Sequence, residues 1–125
     1  MKPRQSKSIQ RLIQLGICQQ SDIRQAKVEA EKLASPENAV KIRRAEKILG
    51  AIGESSRIEI LLLLSKREMC VCELQFALGL PQPTVSHHLG LLEQAGLLER
   101  NKRERWVIYK VRNSPALDML RGLMS

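Results

Sequence analysis

The sequence is poor in aromatic residues and contains no long apolar run. Aromatic side chains make up 2% of its 125 residues. Modules that bind RNA or single strands stack bases on several exposed aromatic rings, so these classes are disfavoured. The longest apolar run, residues 60–64, is far shorter than the roughly 20 residues that span a bilayer. Residues 1–6 lead into no apolar segment of a signal peptide, so we expect a cytoplasmic protein.

The sequence patterns of common enzyme sites are also missing. There is no phosphate-binding loop and no His-Glu-x-x-His, and nothing supports Cys72 and His87 as a catalytic pair. We therefore expect no enzyme and no catalytic residue. The three cysteines are too few for the disulfide framework of a secreted protein. Cys70 and Cys72 instead form a Cys-x-Cys pair, a spacing that favours metal or redox chemistry in a reducing compartment.

Positive charge is what the sequence has in excess. It contains 21 Lys and Arg against 13 Asp and Glu, which gives a net charge of +8. An excess of this size indicates a polyanionic partner, with nucleic acid ahead of a membrane surface. No acidic residue precedes Asp22, and we expect residues 1–10 to form a flexible basic arm. Apolar residues at helical spacing then predict two helices, one extending to Ile17 and one capped by Ser21.

Proline and serine mark the starts of the next predicted helices. Ser35 and Pro36 indicate the N-cap and first residue of a helix that ends at Gly53. A capping-box pattern at residues 56–59 leads into the apolar run of residues 60–64. Five consecutive apolar residues on a helix predict burial nearly all round, so we expect this helix to be the centre of the core.

Residues 71–95 have the layout of a helix-turn-helix motif. A short helix over residues 71–78 is expected to stop at Gly79, because glycine is favoured just past a helix end. Leu80 must be extended, since it precedes a proline. A longer helix then runs from about residue 82 to residue 95.

A charged hairpin is predicted after this motif. Residues 97–100 and 106–111 have strand patterns, and the tip between them is rich in charge. Pro115 then begins a last helix with one apolar stripe. The predicted fold is therefore mostly α with a small β-hairpin wing, a winged helix-turn-helix. A short helix is marginal alone in water, so the stripe of the last helix needs a partner, either the domain body or a second subunit.

The second helix of such a motif enters the major groove and reads base edges with its N-terminal residues. A charged wing suits phosphates or the minor groove. The contacts expected from the helix and the wing are Gln82, Thr84, Ser86, His87, Arg100, Lys102, Arg103 and Arg105. The two adjacent histidines cannot hold one ion together, because neighbouring helical side chains diverge by about 100°. His88 is instead expected to pack and to form hydrogen bonds.

Several segments carry the motifs of one protein family. They are Glu-Met-Cys-Val-Cys-Glu-Leu at residues 68–74, Leu-Pro-Gln-Pro-Thr-Val-Ser-His-His-Leu at 80–89, Ala-Gly-Leu-Leu at 95–98 and Arg-Trp-Val-Ile-Tyr at 105–109. With them, about residues 42–111 closely resemble the ArsR/SmtB repressors. The resemblance implies a homodimeric winged-helix repressor that leaves its double-stranded operator DNA when an inducer binds. The Cys-Val-Cys segment resembles the thiolate site of the arsenite and cadmium/lead branches.

The sequence departs from this family at two ligand positions. Gln75 stands where arsenite sensors often have a third cysteine, and no histidine follows His88, so a zinc site on the last helix is not expected. Cys18 is the only candidate for a third thiolate, and the resemblance to the cadmium/lead branch, in which N-terminal cysteines complete the site, implies this role. The alternative is that Cys18 is a small buried apolar residue. Three thiolates, at Cys18, Cys70 and Cys72, favour As(III), Sb(III), Pb(II) or Cd(II).

The Cys-x-Cys spacing suggests how an inducer acts. Residues i and i+2 of a regular helix point about 200° apart, so Cys70 and Cys72 can chelate one ion only if the helix start unwinds or begins after Cys70. Binding would then reshape the helix that packs on the recognition helix. Three alternatives remain open: a redox repressor with a disulfide from Cys18, a metal buffer, and a constitutive DNA-binding protein. Residues 1–35 are expected to be a dimerisation or lid segment, and residues 36–125 the DNA-binding domain with a C-terminal dimerisation helix.

Overall fold

The computed structural model describes residues 6–125, which form seven helices and one three-stranded antiparallel sheet. The chain divides into two units, residues 1–42 and residues 43–125. The domain boundary predicted after residue 35 stays a prediction. No helix within residues 6–125 is long and apolar enough to cross a membrane.

The first unit begins with two helices, α1 (Lys7–Gln14) and α2 (Gln20–Leu33). Ser6 Oγ accepts a hydrogen bond from the Ile9 N–H at 3.2 Å and so caps α1. The prediction of a flexible arm is therefore wrong for its helical part, since the cap starts a helix where sequence charge suggested disorder. The first five residues of that predicted arm lie outside the described part of the chain.

The connection between α1 and α2 corrects two further predictions. Gly16 adopts a φ of 72°, in the left-handed region, so the helix cannot continue to Ile17. At the start of α2 the Gln19 N–H donates to Asp22 Oδ2 at 2.8 Å. Ser21 is therefore not the cap but lies inside the first turn of the helix.

Helix α3 (Pro36–Ile52) confirms both of its predicted ends. Ser35 Oγ accepts a hydrogen bond from the Asn38 N–H at 3.3 Å, which satisfies one of the free donors of the first turn. The helix stops directly before Gly53.

Helix α4 (Ser55–Lys66) begins earlier than the capping-box pattern predicts. Its cap is Glu54, whose carboxylate accepts a hydrogen bond from the Arg57 N–H at 3.0 Å. Leu62 and Leu63 are only half-buried, so burial nearly all round is wrong for this helix. The sheet and the neighbouring helices cover only part of the surface of α4, so one side stays accessible.

The helix-turn-helix is confirmed as α5 (Val71–Leu78) and α6 (Gln82–Gln94). Gly79 ends α5 with a φ of 66°, a conformation that glycine adopts without steric cost. Pro81 is extended and is the N-cap of α6, and Gly96 follows the end of α6 with a φ of 77°.

The sheet contains a strand that sequence patterns missed. Strand β1 (Met69–Cys70) pairs with β3 (Trp106–Val111), which pairs on its other side with β2 (Leu98–Arg103), and all pairs are antiparallel. Cys70 lies opposite Ile108 in this register. A strand of two residues is too short to show the alternation that predicts strands from sequence.

The core lies in the second unit, where α7 (Pro115–Met124) packs against α4. It is a cluster of buried apolar side chains from α3 to α7. Burying one Leu or Ile side chain stabilises the fold by about 1.5–3 kcal/mol, so the cluster holds α6 and the sheet in place. Its buried members are Ala51, Ile52, Ile60, Leu61, Leu64, Met69, Leu74, Val85, Leu89, Leu92, Leu97, Leu98 and Leu120.

Candidate nucleic-acid interface and thiol site

Helix α6 presents a polar face because its apolar face is anchored in the core. The residues of α6 that the core buries completely are Val85, Leu89 and Leu92. Gln82, Ser86 and His87 are exposed, and Thr84 is half-buried. Three of the four predicted contacts of this helix are thus accessible to DNA, and the hydroxyl-bearing Thr84 lies partly against the protein.

The wing does not bring its four predicted contacts onto one face. Side chains alternate along a strand, so Arg100 and Lys102 of β2 share one face and Arg103 points to the other. Arg105 follows in the turn, and its guanidinium lies 4.9 Å from the ring centre of Trp106. All four cations are exposed.

Two of the wing cations have acidic partners. Arg100 Nε lies 3.5 Å from Glu93 Oε2, and Arg103 Nη2 lies 2.6 Å from Glu68 Oε1. Within residues 6–125 no acidic group pairs with Lys102 at ion-pair distance. The sequence predicts four equivalent cations, whereas Lys102 carries more uncompensated charge toward a polyanion than the paired Arg100 and Arg103.

A polar cluster at the inner side of α6 joins three helices. Arg57 Nη1 lies 3.1 Å from His88 Nδ1, and Arg57 Nε donates to the Ala51 carbonyl oxygen at 2.6 Å. Glu54 Oε2 lies 3.9 Å from the same histidine nitrogen. The pKa of Glu54 is lowered, chiefly by the hydrogen bond from the Arg57 N–H and further by the neighbouring side chains of His88 and Arg57. The sequence predicted a hydrogen-bonded His88 but offered no signal for Arg57 as its partner.

Cys70 stands at the junction of a strand and a helix. It is the last residue of β1 and the N-cap of α5, with extended backbone at φ −85° and ψ 168°. Cys72 lies in the first turn of α5 and is exposed, and Cys70 is half-buried. The helix therefore begins after Cys70, which is the backbone arrangement that the spacing required for both sulfur atoms to face one ion.

Glu73 is a residue of this segment that sequence reasoning missed. Its Oε1 accepts a hydrogen bond from the Cys70 N–H at 3.3 Å and lies 3.6 Å from Cys70 Sγ. Its Oε2 pairs with the Arg67 guanidinium. The hydrogen bond from Arg67 is the largest cause that lowers the pKa of Glu73, and the hydrogen bond from the Cys70 N–H is the next. The same hydrogen bond to Glu73 raises the pKa of Arg67.

Cys18 belongs to the first unit, in the connection between α1 and α2 rather than on a helix. It is half-buried. Among residues 6–125, no three Cys, His, Asp or Glu side chains are arranged to hold a metal ion. A three-thiolate set with Cys18 therefore stays a prediction.

The sequence of the DNA-binding region matches a known protein family. The model of the bacterial regulatory proteins of the arsR family matches residues 54–100. The uncharacterized HTH-type transcriptional regulator MJ1325 of Methanocaldococcus jannaschii is 40% identical over 72 residues, which are 57% of this chain and 81% of that protein. The arsenical resistance operon repressor of Escherichia coli is 44% identical over 61 residues, 48% of this chain. The chain spans about half of that repressor, 52% of its length.

Solved structures agree with the sequence relatives. Reduced HlyU from Vibrio cholerae superimposes with a TM-score of 0.63 and 29% identity, covering 71% of this chain and 94% of HlyU. The relatives and structural neighbours are DNA-binding transcription regulators rather than enzymes. The chain therefore belongs to the ArsR family of winged helix-turn-helix transcription regulators.

Proposed function

We propose that this chain is a homodimeric repressor that binds duplex operator DNA and leaves it when a thiophilic metal or metalloid binds Cys70 and Cys72. The observation that carries this proposal is the extended backbone of Cys70 at the N-cap of α5, with Cys72 two residues later. Two thiols at a strand-to-helix junction can turn toward one ion without breaking a regular helix.

The DNA-reading surface of the proposal is α6 with the wing. Gln82, Ser86 and His87 are exposed on a helix that the core holds rigidly, as major-groove reading requires. Lys102 and Arg105 are exposed on the wing and suit phosphates. The net charge of +8 supports a polyanionic partner.

Cys70 is well placed to couple an ion to both DNA-reading elements. It pairs with Ile108 of β3, the inner strand of the wing, and it caps α5, which packs against α6. In this proposal, drawing the two sulfur atoms onto one ion shifts the backbone of Cys70, which alters the first turn of α5 and the pairing of β1 and leaves the rest of the helix regular. The two half-sites of an operator lie about 34 Å apart, so a small rotation of α6 in each subunit removes contacts.

The donor set selects the class of inducer. Thiolates are soft ligands and favour As(III), Sb(III), Cd(II) or Pb(II) over Mg(II) or Mn(II). The relative in Escherichia coli is named an arsenical resistance operon repressor, which supports the metalloid end of this range. We infer that Cys18, from the same or the partner subunit, completes a three-thiolate site.

The homodimer is supported by exposed apolar side chains on the last helix. Leu117 and Leu120 of α7 are buried within the chain, whereas Met119, Leu123 and Met124 of the same helix remain exposed. A second copy of the chain would cover them. Sedimentation equilibrium of the reduced protein tests this: we expect a dimer, weakened by Leu123→Glu.

Fluorescence anisotropy on DNA from upstream of the gene tests the repressor. Reduced protein at fixed salt with a chelator is expected to bind tightly and with sequence preference, and titration with As(III), Cd(II), Pb(II) or Zn(II) to show release by a soft ion only. Cys72→Ser is expected to abolish the release, and Cys18→Ser is the matched variant that reports the third thiolate. Release that survives Cys72→Ser contradicts the proposed site, and failure to bind any duplex at about 50 mM salt contradicts the repressor.

A thiol–disulfide switch is the second candidate function. Cys72 is exposed, and the neighbour HlyU is described in a reduced form. Counting free thiols after mild peroxide separates the two candidates, because a redox switch loses two thiols together with its operator binding. A disulfide from Cys18 to Cys70 or Cys72 is expected in that case, since a Cys-x-Cys disulfide would close a strained ring.

A further inference from the structure

We propose that Arg57 is a positioning residue for DNA reading: it ties the recognition helix to α3 and α4 through His88, and protonation of His88 breaks this tie. The inference rests on the proposed DNA-reading role of α6. It concerns residues distant in sequence from the cysteines and needs no inducer.

The tie is built from one guanidinium with two acceptors. Arg57 Nε donates to the Ala51 carbonyl oxygen at 2.6 Å, in the last turn of α3, where carbonyl groups lack helical partners. Arg57 Nη1 lies 3.1 Å from His88 Nδ1 in α6. One side chain at the start of α4 therefore holds the end of α3 and the middle of the recognition helix.

The chemistry of the pair fixes the protonation state of the ring. A guanidinium has only donors and stays charged, so His88 Nδ1 must be the acceptor, which places the ring proton on Nε2. A second proton would occupy Nδ1, remove the hydrogen bond from Arg57 and set two positive charges 3.1 Å apart. The side chain of His88 is only 12% exposed, so water screens this repulsion weakly.

The other charged groups near the ring decide where it moves. Glu54 Oε2, at the N-cap of α4, lies 3.9 Å from Nδ1, beyond hydrogen-bond distance, so a protonated ring must shift to reach it. On α6 itself His87 is the neighbour, with ring centres 5.8 Å apart. The elements α5 and β2, which also pack on α6, add no hydrogen bond or ion pair to the ring within the described chain.

A shift of His88 is transmitted to the DNA-reading face. His88 directly follows His87 and lies two residues after Ser86, so a ring that changes partner releases the tie next to the segment of α6 expected to contact DNA. We therefore expect operator affinity to fall on acidification by about 3- to 10-fold more than phosphate contacts explain, the factor expected for one lost hydrogen bond.

The test is operator affinity at about pH 8 and at about pH 5.5, a range over which a histidine can change its charge. Anisotropy on the same duplex and at fixed salt gives the ratio of affinities for each protein. His88→Asn keeps an acceptor near the position of Nδ1 but cannot be protonated, so its ratio is expected to lack the extra 3- to 10-fold loss. His87 is present in both proteins, so its contribution is common to the two ratios.

Variants at the arginine separate positioning from simple packing. Arg57→Lys has one ammonium that cannot reach both acceptors, so we expect weak binding at both pH values and no extra loss. Arg44→Lys, the same change at an exposed site of α3, is the matched control and is expected to keep the wild-type ratio. Thermal melting at both pH values shows whether each variant is folded.

Imidazole ¹⁵N shifts give a readout that does not depend on DNA. At about pH 8 His88 is expected to carry its proton on Nε2 in the wild type, and to lose this preference in Arg57→Lys. An unchanged affinity ratio in His88→Asn, or an Nδ1 proton in the wild type, overturns the tie. If the wild type binds no duplex at either pH, the proposed repressor fails, while the tautomer still tests the pair.

Discussion

The two units of this chain contain helices of similar sequence character but very different burial. Up to residue 42, no described side chain is buried, and Leu33 on α2 remains 58% exposed. In the second unit, Leu89 is 0% exposed within a cluster drawn from α3 to α7. Helical spacing of apolar residues therefore predicts where a helix forms, but it does not tell whether its apolar face is covered. Substitutions matched between the units test this difference.

Core truncation has the largest expected effect. Leu89→Ala is expected to lower the free energy of unfolding by about 2–5 kcal/mol, because a fully buried side chain is lost and a cavity remains. Leu33→Ala is the matched control, with an expected change of about 0.5 kcal/mol or less. Urea unfolding followed by circular dichroism measures both. Equal costs would mean that the apolar stripe of α2 is covered in solution, and the contrast between the units would fail.

Substitutions that affect DNA binding are expected to give a smaller difference in free energy between the two units. Gln82→Ala is expected to cost about 1–3 kcal/mol of binding free energy and to relax preference at one base pair. Lys102→Ala is expected to weaken all duplexes alike and to lower the slope of log affinity against log salt by about 1. Lys27→Ala, at an exposed lysine of α2, should leave that slope unchanged. A matching decrease for Lys27→Ala would extend the DNA interface into the first unit.

Two glycines in left-handed backbone provide a matched pair. Gly96, at φ 77°, follows α6, and Gly16, at φ 72°, follows α1, and neither has an atom within 4 Å of an added Cβ. Gly96→Ala is expected to lower the free energy of unfolding by about 1–2 kcal/mol through backbone strain. Gly16→Ala carries the same strain in a unit whose described residues include no buried one, so the main unfolding transition should not move. A shift of that transition by Gly16→Ala would show that both units unfold together.

Acid sensitivity is the smallest expected effect. The hydrogen bond from Arg67 lowers the pKa of Glu73 below its ordinary value of 4.5. The ionised carboxylate therefore stabilises the folded state above about pH 4.5, and this stabilisation is lost as the pH falls through the lowered pKa. Glu73→Gln should therefore be less stable than wild type near pH 7 and approach it in acid. Glu37→Gln, in the exposed pair with Lys41, is the control and should show almost no such convergence. Chemical unfolding at several pH values measures the difference, and parallel curves for Glu73→Gln and wild type would contradict it.

Sequence patterns predicted the DNA-binding region better than the rest of the chain. Helices α5 and α6 and the turn at Gly79 followed from glycine, proline and apolar spacing, which act within a few residues. The cap of α4 was misplaced because serine is preferred at the N-cap and glutamate is not, so local preference favours the serines over Glu54. The exposed face of α6 was predicted, whereas the opposite faces of Arg100 and Arg103 and the partner of Arg103 depend on how the wing folds back on the domain.

The sequence by itself determined the family, the helix-turn-helix and the Cys-Val-Cys pair, since motifs and local conformational preferences are written in neighbouring residues. Only the tertiary structure decided that Cys70 closes a strand before it caps a helix, because β1 exists through its pairing with β3, almost forty residues along the chain. The same holds for Arg57 and His88, which no local pattern relates. Their contact arises where α3, α4 and α6 meet, and long-range packing of this kind leaves no signal in the spacing of residues.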